Sequence, residues 1–188
     1  MSDHCKYVRD YCNIGFPIYT NDETAEFIET VYGEKVIGIP EFQRIQLGGF
    51  TVQPFYLPHN DTPNFGYLIE HPEMGKLLFM TDMEYCKYDF SGLHVDHLLI
   101  EANYDMELVD RNISNYKHKL LGHCSIQTAC GIIRVNRSPT LKNVILCHLG
   151  GFSDNISFIA EAEEAAGGGV VVGVADTGKV FDVGLLPF

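Results

Sequence analysis

The chain has 188 residues, 46% hydrophobic and 20% charged, which supplies a packed core and excludes a disordered polymer. Its net charge of −12 argues against a broadly basic nucleic-acid surface. A nuclease stays open, because a bound dication can hold a phosphate on an acidic protein.

The length suits a single domain over residues 1–188. No apolar run reaches the roughly 18 residues of a membrane span. The opening Met-Ser-Asp-His-Cys-Lys has no apolar signal region, so a cytoplasmic protein is expected. Cys5, Cys12, Cys86, Cys124, Cys130 and Cys147 form no Cys-x-x-Cys pair, and their spacing is too irregular for a small disulfide framework; they read as reduced.

In chain order, residues 16–20 read as a short strand. Asn21 or Asp22 caps a helix that runs to Tyr32 and stops at Gly33. Residues 42–46 and 50–57 read as strands around Gly48-Gly49, and 65–70 with 76–80 as a hairpin across residues 72–75. The apolar run 95–101 reads as a buried strand, followed by a helical region over 106–121 and a second helix capped by Ser125. Residues 143–147 form another buried strand and 154–166 a helix. Residues 170–174 and 179–183 close the chain as a strand pair around Asp176-Thr-Gly178. Strands with helices inserted between them indicate sheets packed against helices, an α/β (α+β) class.

Chemistry-bearing residues gather at the strand ends. His59 follows one strand, Asp82 and Glu101 end two others, and His148 ends a fourth, while Asp3-His4 precedes a helix. Strand ends are where ligands collect in α/β sheets. Histidine mixed with aspartate suits Zn²⁺ or Mn²⁺ with an open coordination position. Adjacent strand residues point to opposite faces, so Cys147 reads as a core thiol rather than a co-ligand beside His148.

Together these segments resemble a known family. Asp3-His4, Pro-His-Asn-Asp-Thr-Pro-Asn-Phe-Gly-Tyr-Leu-Ile-Glu over 58–70, Phe-Met-Thr-Asp over 79–82, Leu-Ile-Glu-Ala-Asn-Tyr-Asp over 99–105, Gly-His-Cys-Ser over 122–125 and Leu-Cys-His-Leu over 146–149 resemble, in order and spacing, the metallo-β-lactamase superfamily. The likeness is greatest to its nuclease and phosphodiesterase branch. It implies an αββα sandwich that lacks its first strands, because the family's His-x-His-x-Asp-His motif is matched here only from Asp3-His4 onward.

The resemblance further implies that one metal is held by His59 and two histidines that this chain lacks, the second of which would stand where Met1 is. A second metal is held by Asp3, His4 and His148, and Asp82 bridges the two. The expectation is one well-held Zn²⁺ or Mn²⁺ per chain, in the second site. Asp82 and His123 are the candidate catalytic residues, His123 as a phosphate contact or a residue behind the ligands. Asn103 and Asp105 read as turn residues or ligand-orienting groups, and His71, His94, His97 and His118 as surface or structural. The implied activity is metal-dependent hydrolysis, of the phosphodiesterase or nuclease type, on nucleic acid or another phosphodiester. The alternatives are a catalytically impaired or inactive remnant acting in binding or assembly, and a hydrolase of another ester or a lactam. Missing strands would leave sheet edges and apolar faces for a second copy of the chain or a complementing partner to cover.

Overall fold

The computed structural model describes residues 5–185. Two short helices and two short strands come first: α1 (Val8–Asn13), β1 (Tyr19–Thr20), α2 (Asp22–Tyr32) and β2 (Ile37–Gly38). The Asn21 side chain caps α2 by accepting the Thr24 N–H at 2.7 Å, and Gly33 ends it at φ 70°, a conformation that favours glycine. Cys5, Val8 and Ile28 form a small apolar cluster that holds this part together.

The main sheet has seven strands in sequential order: β3 (Ile45–Leu47), β4 (Phe50–Tyr56), β5 (Phe65–His71), β6 (Gly75–Met80), β7 (His97–Glu101), β8 (Asn143–Cys147) and β9 (Val171–Val174). The pairs from β3 to β6 are antiparallel and those from β6 to β9 parallel. Helices fill the crossovers from β7 to β8 and from β8 to β9, while the β6 to β7 connection carries only a short 3-10 turn, Ser91–Leu93. The crossover helices are α3 (Tyr116–Gly122), α4 (Ile126–Asn136) and α5 (Asn155–Ala166).

Period-two alternation sorts each strand between two faces. Leu68, Leu78, Leu98, Ile100, Val144 and Leu146 are buried in one core with Ile126, Ile133, Phe158 and Ala162 of α4 and α5. Val52, Tyr67, Ile69, Leu77, Phe79 and Leu99 point to the opposite face and are only half-buried. No helix among the described residues is long and apolar enough to cross a membrane.

Four expected elements differ, the first being the strand over 16–20, which shrinks to Tyr19–Thr20. The helical region over 106–121 is helical only from Tyr116. The Asp105 and Asp110 side chains accept the backbone N–H groups of Glu107 and Asn112, a local bonding pattern that competes with helix formation. Residues 179–183 form no strand. They lie against the sheet through side chains instead, with Asn143 donating to Asp182 O at 3.1 Å. The strand over 42–46 shrinks to Ile45–Leu47, because Phe42 takes φ 65°.

Ser125 caps α4 as expected, its Oγ accepting the Thr128 N–H at 3.1 Å. Ser125→Ala should therefore lower stability by about 1 kcal/mol, read as a reduced urea midpoint with an unchanged slope.

Candidate metal centre

Sheet topology makes the site. Strands β4, β6, β7 and β8 run in the same direction, so the residues after their C-terminal ends leave the sheet at one edge. Those residues are His59, Asp82, Glu101 and His148. Asp82 and His148 both sit at φ 53°, unusual for residues with a Cβ, which turns each side chain off its strand.

Glu101 is fully buried and organises the rest. Its Oε1 accepts from His123 Nδ1 at 2.7 Å and from His148 Nδ1 at 3.0 Å, and its Oε2 accepts the Met83 N–H at 2.8 Å. Burial pushes the Glu101 carboxyl pKa up, but the bonds from the two histidines and Met83 outweigh it and leave the group below the usual range. The same contact raises the His148 pKa.

Each imidazole is thereby oriented. With Nδ1–H committed to Glu101, the Nε2 lone pairs of His123 and His148 remain available as donors. His59 is set in the same way by a different acceptor, its Nδ1 donating to Gly122 O at 2.5 Å. A Cβ at position 122 would come within 3.3 Å of His59 Cε1, so glycine there permits the approach. Burial holds the His59 pKa below its ordinary value and favours the neutral, ligating form.

Two groups of donors converge. His59, Asp82 and His123 place ligand atoms within 4.8 Å of one another, as do Glu101, His123 and His148. The second group is accounted for by its internal hydrogen bonds. The first, a carboxylate with two oriented imidazoles, has the chemistry of a divalent-metal set. His148 Nδ1 lies 3.4 Å from Asp82 Oδ1 and joins the two. A groove of about 400 Å³ passes beneath α1. Tyr7, Tyr11, Tyr19, Phe65 and Tyr67 line it, and His59 and Asp82 belong to its wall.

This architecture superposes on the metallo-β-lactamase fold protein YhfI from Bacillus subtilis with a TM-score of 0.64 at 20% identity, covering 88% of this chain and 64% of YhfI. The chain has the metallo-β-lactamase fold. An isothiocyanate hydrolase from Delia radicum gut bacteria matches with a TM-score of 0.62 at 13% identity, over 89% of this chain and 68% of that one. A diphosphatase from the PhnP family matches at 0.59 and 14% identity, over 85% of this chain and 55% of its own. The chain thus spans less than two thirds of the length of YhfI and of the diphosphatase. No protein-family model and no curated protein matches the sequence.

Within this metallo-β-lactamase fold, the expected ligands His59, Asp82 and His148 meet at one edge, while Asp3 and His4 lie outside the described residues. His123, read from the sequence as a phosphate contact or a residue behind the ligands, stands among the donors. Glu101 was visible only as a strand-end acid, and nothing in the sequence showed that two histidines converge on it.

His118, read as surface or structural, lies at the border of the site. Its ring centroid is 6.0 Å from that of His59 and 5.6 Å from that of His123, and Asn60 Nδ2 lies 3.0 Å from its Nδ1. His97 is structural as expected, buried between Met74 O and the Asn143 amide. Of the two turn candidates, Asp105 serves its turn, whereas Asn103 reaches the His148 loop. Cys147 belongs to neither donor group, and burial pushes its thiol pKa up to about 12, so it stays protonated.

Proposed function

We propose that this chain is a metal-dependent hydrolase of phosphodiester bonds. The observation that carries the reading is the His59–Asp82–His123 donor set beside the aromatic groove. Zn²⁺ and Mn²⁺ both suit such nitrogen and carboxylate donors. When bound, the ion supplies a Lewis acid and lowers the pKa of water toward neutrality.

The protein's own residues do the rest. The Nδ1 bonds of His59 and His123 hold their rings in place. Asp82 would help hold the ion through its carboxylate and could accept a proton from water. The groove receives the organic part of the substrate, with the tyrosine and phenylalanine rings excluding water from one side. The diphosphatase neighbour supports a phosphoryl substrate. The net charge of −12 favours a short diester or a single-stranded end over a long duplex.

The isothiocyanate hydrolase neighbour supports a second reading, in which the same site opens a different class of bond. A third reading, a non-catalytic binding protein, predicts metal uptake without turnover.

The test is elemental analysis after loading with Zn²⁺ or Mn²⁺, paired with hydrolysis of bis(p-nitrophenyl) phosphate and of a single-stranded oligonucleotide. Metal-stimulated cleavage should fall by at least about 100-fold in Asp82→Ala, because the variant removes both a donor and the proton acceptor. Metal content below about a tenth of an equivalent, unchanged by the substitution, would sink the metal reading. Uptake without cleavage of either diester would sink the phosphodiesterase reading.

A further inference from the structure

The crossover helix α3 carries a lysine where a helix next to a metal-binding edge would be expected to carry an apolar residue. Lys119 is 8% exposed, and among the described residues no carboxylate reaches its ammonium within ion-pair distance, although Glu101 acts on it from farther away. Burying a cation without a counter-charge is expensive unless its donors are satisfied. Its ammonium lies 5.5 Å from the Tyr104 ring centroid and 5.8 Å from that of Phe152, and it donates to Asn103 Oδ1 at 2.5 Å.

That last bond decides the orientation of an amide. A lysine can only donate, so the Asn103 oxygen must face it, and the Asn103 NH₂ must face the other way. There it donates to His148 O at 2.7 Å. Asn103 also uses its backbone, its carbonyl accepting the Gly150 N–H at 2.8 Å and its own N–H donating to Cys124 O at 2.8 Å. Gly150 is packed into the same contact. A Cβ there would stand 2.6 Å from Asn103 Oδ1 and 2.9 Å from Lys119 Nζ.

His148 needs such support. It follows β8 at φ 53° and is the most exposed of the clustered histidines, its ring held through Nδ1 and an edge contact with the His123 ring at 5.1 Å.

We propose that Lys119 is a positioning residue for the metal centre: it locks the Asn103 amide, and the amide holds the His148 backbone so that the imidazole faces Asp82. Lys119 touches neither the ion nor the substrate. The proposal rests on the metal-centre reading for its functional meaning, but the clamp itself is a statement about the protein alone.

Two substitutions separate the clamp from simple core packing. Lys119→Met keeps the volume and removes the donor that fixes the amide. Asn103→Asp keeps a partner for Lys119, and strengthens it, but removes the donor to His148 O. Two readouts apply to the full chain. One is Co²⁺ affinity from the visible absorption bands. The other is amide hydrogen exchange at Gly150 without metal.

Both variants should weaken Co²⁺ binding by about 10-fold or more. Both should also speed Gly150 exchange by about 10-fold or more, with the core amides of β7 unchanged. If both variants bind Co²⁺ as the wild type does, the proposal is overturned, even with faster exchange, because the loop would then be held without serving the site. If the wild type itself takes up no Co²⁺, the metal reading falls and exchange alone judges the clamp. Faster exchange in both variants supports it, and unchanged exchange overturns it.

Discussion

Glu101→Gln should lower the affinity of the centre for a divalent ion by about 10- to 100-fold while leaving the fold intact. The reason is a conflict of donors. In the native site Oε1 accepts from His123 and His148, and Oε2 accepts the Met83 N–H. An amide has one acceptor and one donor end. If its oxygen faces the histidines, its NH₂ meets the Met83 N–H. If its oxygen faces Met83, its NH₂ meets two Nδ1–H groups. Relief then requires both rings to shift their proton to Nε2, which removes the lone pairs aimed at the centre. Calorimetric titration with Zn²⁺ measures the effect, and an unchanged near-ultraviolet circular dichroism spectrum guards against misfolding. Affinity within about 2-fold of the wild type would show that Glu101 only fills space.

The second large effect is on pH. The His148 pKa is raised above its ordinary 6.5 by Glu101, so its contribution to folding is fully present below 6.5 and is lost as pH rises through the raised value. The Glu101 pKa is depressed below its ordinary 4.5, so its contribution is present above 4.5 and is lost as pH falls through the depressed value. The metal-free pair therefore stabilises the protein most between those two ordinary values. His59 acts the other way, because its lowered pKa makes charging it costly as pH falls below 6.5.

Were His148 to join the His59–Asp82–His123 set through Nε2, the ion would displace its proton, and uptake would strengthen with pH, by about tenfold per unit for one proton released. Wild-type Zn²⁺ affinity should thus climb between pH 6 and pH 7.5 while the metal-free melting midpoint loses the His148 contribution. In Glu101→Gln the climb should flatten at the acid end, because His148 is no longer raised. A metal affinity independent of pH over that interval would contradict the assignment of His148.

Much of the scaffold was legible because its signals are local. Asn21 and Gly33 bracket α2 by capping chemistry, Asp154 caps α5, and β8 runs from Asn143 to Cys147 as its apolar pattern indicates. The region 106–115 was misread because its apolar spacing suits a helix, while the short bonds from Asp105 and Asp110 to the backbone suit turns better.

The site was legible only in part, for a different reason. His59, Asp82 and His148 stand out as polar residues that end apolar strands. Their meeting point depends on strand direction, and no single strand reveals it. Glu101 has the same strand-end position, yet its role comes from His123, 22 positions away in sequence, and from His148, 47 away. Lys119 is a stronger case. A lysine on a short helix reads as solvent-facing, and its burial follows from the Tyr104 and Phe152 rings folding over it.

Asp82 and His148 share one backbone feature, a left-handed conformation at the end of a strand. For a residue with a Cβ that conformation costs about 1 kcal/mol, and glycine adopts it freely. Glycine would remove that backbone cost at either position but, in doing so, dismantle the centre. At position 148 glycine would also strip buried Glu101 of one of its two histidine donors, so a screen of random variants for survival on heating should recover Asp82→Gly more readily than His148→Gly.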